Sequence, residues 1–337
     1  MKKYLLLLFA ILLTISCSLE EEKVTDPFEF FWREMDRKYV YFEEKGVDWN
    51  EVYATYKPRT ATANREELLQ IFQEIINLLK DGHVSITTQD THIRYEWWNK
   101  DEIVFYYWAE HIVTFPTHLN DEDGFQVFQL KNDIIYINFY TFHTYFDINK
   151  FRHLLYDYSF SKGVIIDIRL NGGGSTNSFS EFASCFGTGQ RTVLYRRNKT
   201  GHGHNDFSDY FPLKATGRGV VNENIPIVIL TGSYTYSAAN FFAAIMKTLP
   251  NVTLIGMPTG GGGSASFWYV MPNGWTMHYP TSPTYDIEYR SIESGVTPHY
   301  YILTTAEDVE IAQQTGVYPL MEFAYQYLMS QCDNEPM

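Results

Sequence analysis

Ile225-Pro-Ile-Val-Ile-Leu-Thr-Gly-Ser-Tyr-Thr-Tyr-Ser237 runs directly into Ala-Ala-Asn-Phe-Phe-Ala-Ala-Ile-Met246, and this stretch decides the fold. Residues 225–230 form a continuous apolar, β-branched run, which is typical of a strand buried on both faces. The segment after Ser237 is rich in Ala and Phe and ends before Pro250, which predicts a helix. A buried strand followed by a turn and a helix indicates an α/β protein.

Ser237 lies near the first turn of this predicted helix. The free N–H groups and the helix dipole there favour a negative charge that develops beside the serine hydroxyl. A nucleophilic serine is one interpretation of this position. An N-cap serine that only satisfies a helix N–H group is the other, and this stretch alone leaves both open.

A second strand-and-turn unit occurs earlier in the chain. Residues 163–169 predict another buried strand, followed by Asn171-Gly-Gly-Gly174 and a helix that extends to Phe186. The glycine turn matches neither the dinucleotide-binding GxGxxG pattern nor the phosphate-binding GxxxxGK[ST] pattern. Three glycines after a buried strand let backbone N–H groups face a ligand, which suits an oxyanion hole as well as a tight turn.

Residues 26–83 predict a helical subdomain. Asp26 with Pro27 indicates one helix start, and Asn64 with Glu67 resembles a capping box before another helix. The third helix should end near Gly82, interpreted as its C-cap, which places His83 on a helix-to-strand corner. A lone histidine on a corner is structural more often than functional, so the position alone does not decide its role.

The remainder divides into a small β-rich segment, residues 84–130, and a core, residues 131–337. The β-rich segment contains aromatic strand patterns at residues 95–98, 103–108 and 111–115. Residues 190–220 are polar and are interpreted as a solvated loop. Its two histidines, His202 and His204, lack the carboxylate or cysteine spacing of a metal site, so no metal is expected there.

Charge and cysteine content narrow the function classes. The chain has 337 residues, and its 26 Tyr and 24 Phe are ample for a packed core. Its formal net charge of −14 argues against nucleic acid and against a polybasic membrane surface as partners. Apart from Cys17, only Cys185 and Cys332 are present, and two such cysteines do not make a disulfide framework.

The N-terminus predicts export. Met1-Lys2-Lys3, an apolar run over residues 4–13 and Cys17 resemble a bacterial lipoprotein signal spanning residues 1–17, although Thr14 stands where that motif usually has Leu. Residues 18–25 form an acidic tether, similar to one that accompanies surface export in some Gram-negative lipoproteins. We therefore expect an outer-membrane lipoprotein of a Gram-negative envelope, attached only through lipid on Cys17, with surface exposure left open. An ordinary cleaved secretory signal is the alternative.

Four motifs together resemble the serine peptidase family that groups the tail-specific (C-terminal processing) proteases, the tricorn protease core and the interphotoreceptor retinoid-binding repeats. The resemblance covers nearly the whole chain after the signal. Its motifs are Gly163-Val-Ile-Ile-Asp-Ile-Arg-Leu-Asn-Gly-Gly-Gly174, Leu230-Thr-Gly-Ser-Tyr-Thr-Tyr-Ser-Ala-Ala239, Leu79-Lys-Asp-Gly-His83 and Ile292-Glu-Ser-Gly-Val-Thr-Pro298.

The resemblance implies a ClpP/crotonase-like core of ββα units behind the N-terminal helical subdomain, and it implies roles for individual residues. Ser237 would be the nucleophile, His83 the general base and Glu293 the support of the histidine. The backbone N–H of Ala238 and that of Gly172 or Gly173 would bind the oxyanion.

The chain departs from the family pattern in ways that select its branch. The tail-specific branch uses a lysine base about 25 residues after the serine, but here that position falls among glycines and no lysine follows Lys247. The tricorn branch has a serine before its histidine, where this chain has Gly82, so Ser85 or a water would have to substitute. His299 stands where an aspartate often follows the proline. About 50 residues separate His83 from the core, too few for the usual PDZ domain.

The sequence thus predicts an exported serine peptidase that hydrolyses peptides or unfolded protein tails, without a cofactor and with an unassigned oligomeric state. The rival is a catalytically inactive binding module on the same fold, because a fold does not fix a function.

Overall fold

The computed structural model describes residues 24–97, 117–122, 124–157 and 162–332. Within these ranges the chain forms two β-sheets with helices packed on them, which confirms the predicted α/β class with a ClpP/crotonase-like core and helices at its N-terminal side. The signal segment, Cys17, most of the acidic tether and the predicted strands at 103–108 and 111–115 lie outside the described residues. No helix in the described ranges is long and apolar enough to cross a membrane.

Four helices form the N-terminal part: α1 (Pro27–Lys38), α2 (Phe42–Lys45), α3 (Trp49–Thr60) and α4 (Arg65–Leu79). The predicted caps are confirmed, since Asp26 accepts the Glu29 N–H at 2.7 Å and Asn64 with Glu67 makes a complete capping box. The predicted C-cap at Gly82 is wrong. Lys80 holds the left-handed position at φ 48° and ends α4 three residues before His83.

These helices share one hydrophobic core with part of the smaller sheet. Phe31, Phe72 and Ile76 on the helices are buried together with Met277 and Tyr279 on the sheet. The helical segment therefore packs its apolar face on strands that come from the opposite end of the chain. Burial of this face supplies most of the stability that short helices lack on their own.

The smaller sheet has the order β2–β1–β12–β7–β8, with β11 also paired to β12. Its strands are β1 (Ser85–Thr87), β2 (His92–Arg94), β7 (Thr188–Arg196), β8 (Phe211–Arg218), β11 (Ser264–Val270) and β12 (Thr276–Tyr285). β11 and β12 form an antiparallel hairpin that turns around Asn273-Gly274. The loop predicted for 190–220 is wrong over about half of its length, because residues 190–196 and 211–218 belong to the paired strands β7 and β8. The segment between these strands, with His202 and His204, is a loop.

The larger sheet has the order β13–β10–β9–β6–β5–β4–β3 among the described residues. Its strands are β3 (Thr117–Glu122), β4 (Phe125–Gln129), β5 (Ile134–Phe139), β6 (Gly163–Asp167), β9 (Ile227–Thr231), β10 (Val252–Gly256) and β13 (Tyr300–Tyr301). Strands β5, β6, β9, β10 and β13 run parallel, so their carboxyl ends meet at one edge. The turn after β6 carries the glycine motif and the turn after β9 carries Ser237, so these two turns lie side by side.

Helices cover both faces of this larger sheet, which explains the continuous apolar runs of its strands. One face packs on α5 (Ile148–Asp157), α6 (Thr176–Ser184) and α7 (Ala238–Met246), and the other packs on α8 (Ala306–Thr315) and α9 (Pro319–Cys332). Alternate residues of β6 go to opposite faces: Ile166 lies in the first core and Ile165 in the second. Cys185, just after α6, is a buried free thiol.

Candidate active site

Ser237 occupies a strained turn between β9 and α7. Its backbone has φ 54° and ψ −119°, a region that a residue with a side chain rarely adopts. The Ser237 N–H donates to the Gly261 carbonyl at 2.9 Å, which ties the turn to the loop of four glycines at residues 260–263, called the glycine loop below. Ser237 precedes the first residue of α7, yet its side chain caps no helix N–H group. Its hydroxyl is therefore available for another contact.

That contact is with His83. The Nε2 atom of His83 lies 3.0 Å from the Oγ atom of Ser237, which is hydrogen-bond distance. The His83 ring packs against the rings of Tyr236 and His278 with centroids 4.9 and 5.9 Å away. The structure thus brings together two residues that stand 154 positions apart in the chain.

Asp81 fixes the backbone of the histidine corner. One carboxylate oxygen of this buried residue accepts the His83 N–H at 2.8 Å, and the other accepts the Tyr39 hydroxyl at 2.9 Å. Burial lowers the pKa of His83. The negative charge of Asp81 opposes this shift, and the positive charge of Lys45 adds to it. The imidazole is therefore neutral near pH 7, the form that can accept a proton.

The Glu293 carboxylate makes no hydrogen bond to the His83 ring among the described residues. This carboxylate forms an ion pair with Lys45 at 2.9 Å and accepts the Gly263 N–H at 2.9 Å. Burial and the nearby charge of Asp81 raise the pKa of Glu293, and Lys45 works against that rise. The Nδ1 atom of His83 is buried and has no hydrogen-bond partner among the described residues, so neither Glu293 nor Ser85 reaches it directly.

The glycine turn after β6 packs directly on the serine turn. Gly173 has φ 102°, and a Cβ atom there would lie 2.9 Å from the Ser237 Cβ and 3.0 Å from the Ala238 nitrogen. Only glycine permits this approach. The Gly173 N–H is already used, because it donates to the Asn171 side chain at 2.9 Å. Of the two glycines expected to offer an amide, Gly172 is the one without an acceptor among the described residues.

Gly82 serves close packing rather than helix termination. A Cβ atom at this position would collide with the Trp97 ring and lie 2.9 Å from the Tyr236 hydroxyl. Trp97 and Tyr236 stack with ring centroids 3.9 Å apart beside the His83 ring. The position that holds a serine in the tricorn branch is therefore filled here by two aromatic rings.

A cavity of about 730 Å³ opens beside Ser237 and Ala238. Its walls come from α6, α7, the β7–β8 hairpin and the start of β11. Apolar side chains such as Phe179, Leu213 and Phe241 form much of the lining, and Arg196 is among the charged residues. A concave, mostly apolar space next to a serine–histidine pair is suited to binding an organic substrate.

Sequence reasoning missed three residues around this site. Asp81 precedes the histidine by two positions, and the Asp-Gly sequence was a local turn signal that could have revealed its contact with the His83 N–H. Lys45 and Arg196 gave no such signal. Lys45 pairs with Glu293, which is distant in the sequence, and Arg196 lies in the segment that was interpreted as a loop.

Comparisons with known proteins identify the family of the chain. A sequence model of peptidase family S41 matches residues 133–302, and a model of the tricorn protease C1 domain matches residues 21–81. A protein of Parabacteroides merdae described as a candidate peptidase shares 30% identity, covers 93% of this chain and 98% of its own, and superposes with a TM-score of 0.80.

Two more distant structures share the fold. Mature CPAF in complex with lactacystin is 13% identical over 91% of this chain and 98% of its own, with a TM-score of 0.70. The photosystem II D1 C-terminal processing protease is 15% identical over 87% of this chain and 98% of its own, with a TM-score of 0.51.

The family matches and the fold are those of a peptidase. The chain belongs to peptidase family S41 and carries a tricorn-type N-terminal segment, which confirms the resemblance found in the sequence. Family membership supports a hydrolase that acts on peptides or proteins.

Gly82→Ser should harm the site rather than complete it. The added Cβ displaces Trp97 and Tyr236 from the side of His83. We expect the free energy of unfolding to fall by about 1–3 kcal/mol from overpacking, seen as a lower melting temperature, and we expect lower peptidase activity. Thermal unfolding and kcat/KM measure the two effects, with Ala61→Ser on an exposed helix end as the control. A Gly82→Ser protein as stable and as active as the parent would contradict this account.

Proposed function

We propose that the chain is an exported serine-type peptidase that hydrolyses peptide bonds in peptides or unfolded protein tails. The observation that carries the proposal is the 3.0 Å contact between the His83 Nε2 and the Ser237 Oγ at the wall of the cavity. A serine hydroxyl becomes a nucleophile when a neutral imidazole can take its proton, and burial keeps His83 neutral.

The proposed reaction follows acyl transfer. Ser237 Oγ attacks the peptide carbonyl carbon while its proton passes to His83 Nε2. The carbonyl oxygen becomes an oxyanion, and the N–H groups of Ala238 and Gly172 stabilise it. His83 then gives the proton to the leaving amine, and the C–N bond breaks. A water molecule, deprotonated by the same imidazole, hydrolyses the acyl-enzyme and restores Ser237.

Glu293 acts in this proposal as a positioning residue. Its backbone carbonyl accepts the Gly262 N–H at 3.1 Å and its carboxylate accepts the Gly263 N–H, so it fixes the loop whose Gly261 carbonyl holds the Ser237 N–H. The sequence led us to expect that Glu293 would support His83. In this proposal the glutamate instead supports the turn of Ser237 through the backbone of the loop at residues 261–263.

A binding module without catalysis is the second candidate. One observation favours it: the buried Nδ1 atom of His83 has no orienting acceptor among the described residues, whereas a catalytic histidine usually has one. The backbone strain at Ser237 favours the enzyme instead, because a strained residue persists where the surrounding structure maintains it for a role.

Ser237→Ala should abolish peptidase activity and preserve the fold, since alanine is well accepted beside the first turn of a helix. The folded parent should react covalently with a fluorophosphonate probe at Ser237, as located by mass spectrometry. The heat-unfolded parent and the Ser237→Ala protein should not react, while Ser208→Ala on a surface loop should react like the parent. An unlabelled folded parent would favour the binding module.

The pH profile should report His83. Because only the neutral imidazole accepts the serine proton, kcat/KM should be lost as pH falls through a pKa below the ordinary value of 6.5. His278 faces the ring and, with its own pKa lowered to about 4, adds no charge in this range. Asp81→Asn removes the negative charge that favours the imidazolium and so lowers the pKa of His83 further. The acidic limb of the kcat/KM profile should therefore move to lower pH.

Glu66→Gln on the exposed face of α4 is the control for this shift and should leave the limb in place. A limb well above pH 7, or one that Asp81→Asn does not move, would show that another group is the base.

We further propose that residues 1–17 are a lipoprotein signal and that the mature chain begins with lipid on Cys17, in the outer membrane of a Gram-negative envelope. The basic start, the short apolar run and the position of the cysteine support this placement. Mass spectrometry of the N-terminus from the native host should find acylated Cys17, and Cys17→Ser should release the protein from the membrane fraction. An unmodified N-terminus downstream of Cys17 would refute the anchor.

A further inference from the structure

Arg196 is a half-buried arginine in the wall of the cavity that contains Ser237. It ends β7, opposite Thr284 of β12, and its Nε donates to the Thr284 hydroxyl at 3.4 Å. The Thr284 N–H in turn donates to the Gly263 carbonyl, on the loop that holds Ser237. Thr284 therefore connects the Arg196 side chain to Gly263, in the loop whose Gly261 carbonyl accepts the Ser237 N–H.

No carboxylate lies within ion-pair distance of Arg196 among the described residues. Burial lowers the pKa of its guanidinium, and the nearby Tyr41 hydroxyl only partly opposes this shift. By contrast, the fully buried Arg169 is paired with Asp167 at 2.5 Å, and the cavity residue Arg218 is paired with Glu181 at 3.1 Å. A partly desolvated guanidinium without a counter-charge gains most when an anion binds to it.

The charged residues that line the cavity also favour an anionic ligand. Among the described residues, the lining contains the cations Arg196, Lys214 and Arg218 and one carboxylate, Glu181, which is already paired with Arg218. Arg196 and Lys214 thus leave an excess of positive charge in this space, while the whole chain has a formal charge of −14. A positive cleft in an acidic protein concentrates anionic groups at that cleft.

We propose that Arg196 is a specificity-determining residue that binds a carboxylate of the peptide substrate. The apolar part of the same cavity, with Phe179, Leu213 and Phe241, takes an apolar side chain of that peptide. The carboxylate belongs either to an Asp or Glu side chain or to the free C-terminus, since a guanidinium pairs with both in the same bidentate geometry. This inference rests on the proposed peptidase function and names the substrate class of that site.

The test begins with an unfolded protein probe, reduced and carboxymethylated α-lactalbumin, whose cut sites are mapped by mass spectrometry. One peptide spanning a cut is then made in four forms, with Glu or Gln at its acidic position and with a free or amidated C-terminus. The parent should discriminate within one of two pairs, either Glu against Gln or the free against the amidated C-terminus. In that pair, its kcat/KM for the carboxylate form should be about tenfold to a hundredfold higher than for the neutral form. The responding pair identifies the source of the carboxylate.

Arg196→Gln should bring that ratio close to one. Arg196→Lys, which keeps the charge and removes the bidentate fork, should leave an intermediate ratio. The matched control is Arg197→Gln: Arg197 is the next residue, lies outside the cavity lining and donates to the Ser208 carbonyl, so its replacement should leave the ratio unchanged. Thermal unfolding verifies that each variant is folded.

The outcomes separate this inference from the function on which it rests. Cleavage of all four peptides within twofold, or a preference that survives Arg196→Gln, would refute the carboxylate subsite and leave the peptidase intact. If the parent cleaves none of them, fluorescence anisotropy with the same labelled peptides decides. Carboxylate-dependent binding that Arg196→Gln abolishes would support the subsite in a binding module, and binding independent of the carboxylate would refute it.

Discussion

The hydrogen bond from the Ser237 N–H to the Gly261 carbonyl is the constraint on which the site depends. Ser237 has a positive φ, a conformation that costs of the order of 1–3 kcal/mol for a residue with a side chain. The neighbouring Tyr236 N–H is held by the Asn171 carbonyl, and the Ser237 carbonyl begins α7 by accepting the Phe241 N–H. Three bonds from three different segments therefore maintain a backbone that the local sequence would not adopt alone.

A buried charged cluster connects this constraint to the N-terminal helices. Lys45 in α2 pairs with Glu293, and Tyr41 donates to the Gly263 carbonyl at 3.0 Å. Removing either partner of the Lys45–Glu293 pair would leave the other without its counter-charge in a mostly buried place, which destabilises the folded state. The helices thus do more than cover the core, because they hold the glycine loop that holds Ser237. The position of His83 depends on the same helices, since Asp81 is anchored by the Tyr39 hydroxyl.

The sequence predicted well whatever depends on neighbours along the chain. The buried run of β9, the helix after Ser237 and the caps at Asp26 and Asn64 follow from local propensity and spacing, and the structure confirms them. Contacts between distant segments were less accessible. The expectation that Glu293 supports His83 came from a family pattern, but the actual partner of Glu293 is Lys45, a residue with no distinctive local signal.

β7 and β8 show a second kind of limit. Their polar, basic residues resemble a loop because much of this hairpin is exposed, so the burial pattern of β8 alternates with exposed positions rather than forming an apolar run. Arg196 was hidden in that segment for the same reason. A charged residue on a half-exposed strand gives no hydrophobic period, and only the pairing with β12 shows that it lies beside the glycine loop.

The packing around Gly82 explains why the histidine environment differs from the tricorn pattern. Trp97 and Tyr236 stack against each other over Gly82, and the same Trp97 ring lies where a Cβ atom on Gly260 would be. A serine before His83 is therefore sterically incompatible with this aromatic stack. What orients the imidazole here is the backbone bond to Asp81 and the flanking Tyr236 and His278 rings, so packing takes over part of a task that a hydroxyl performs by hydrogen bonding. The replacement of serine by glycine and the aromatic stack are thus two parts of one structural solution.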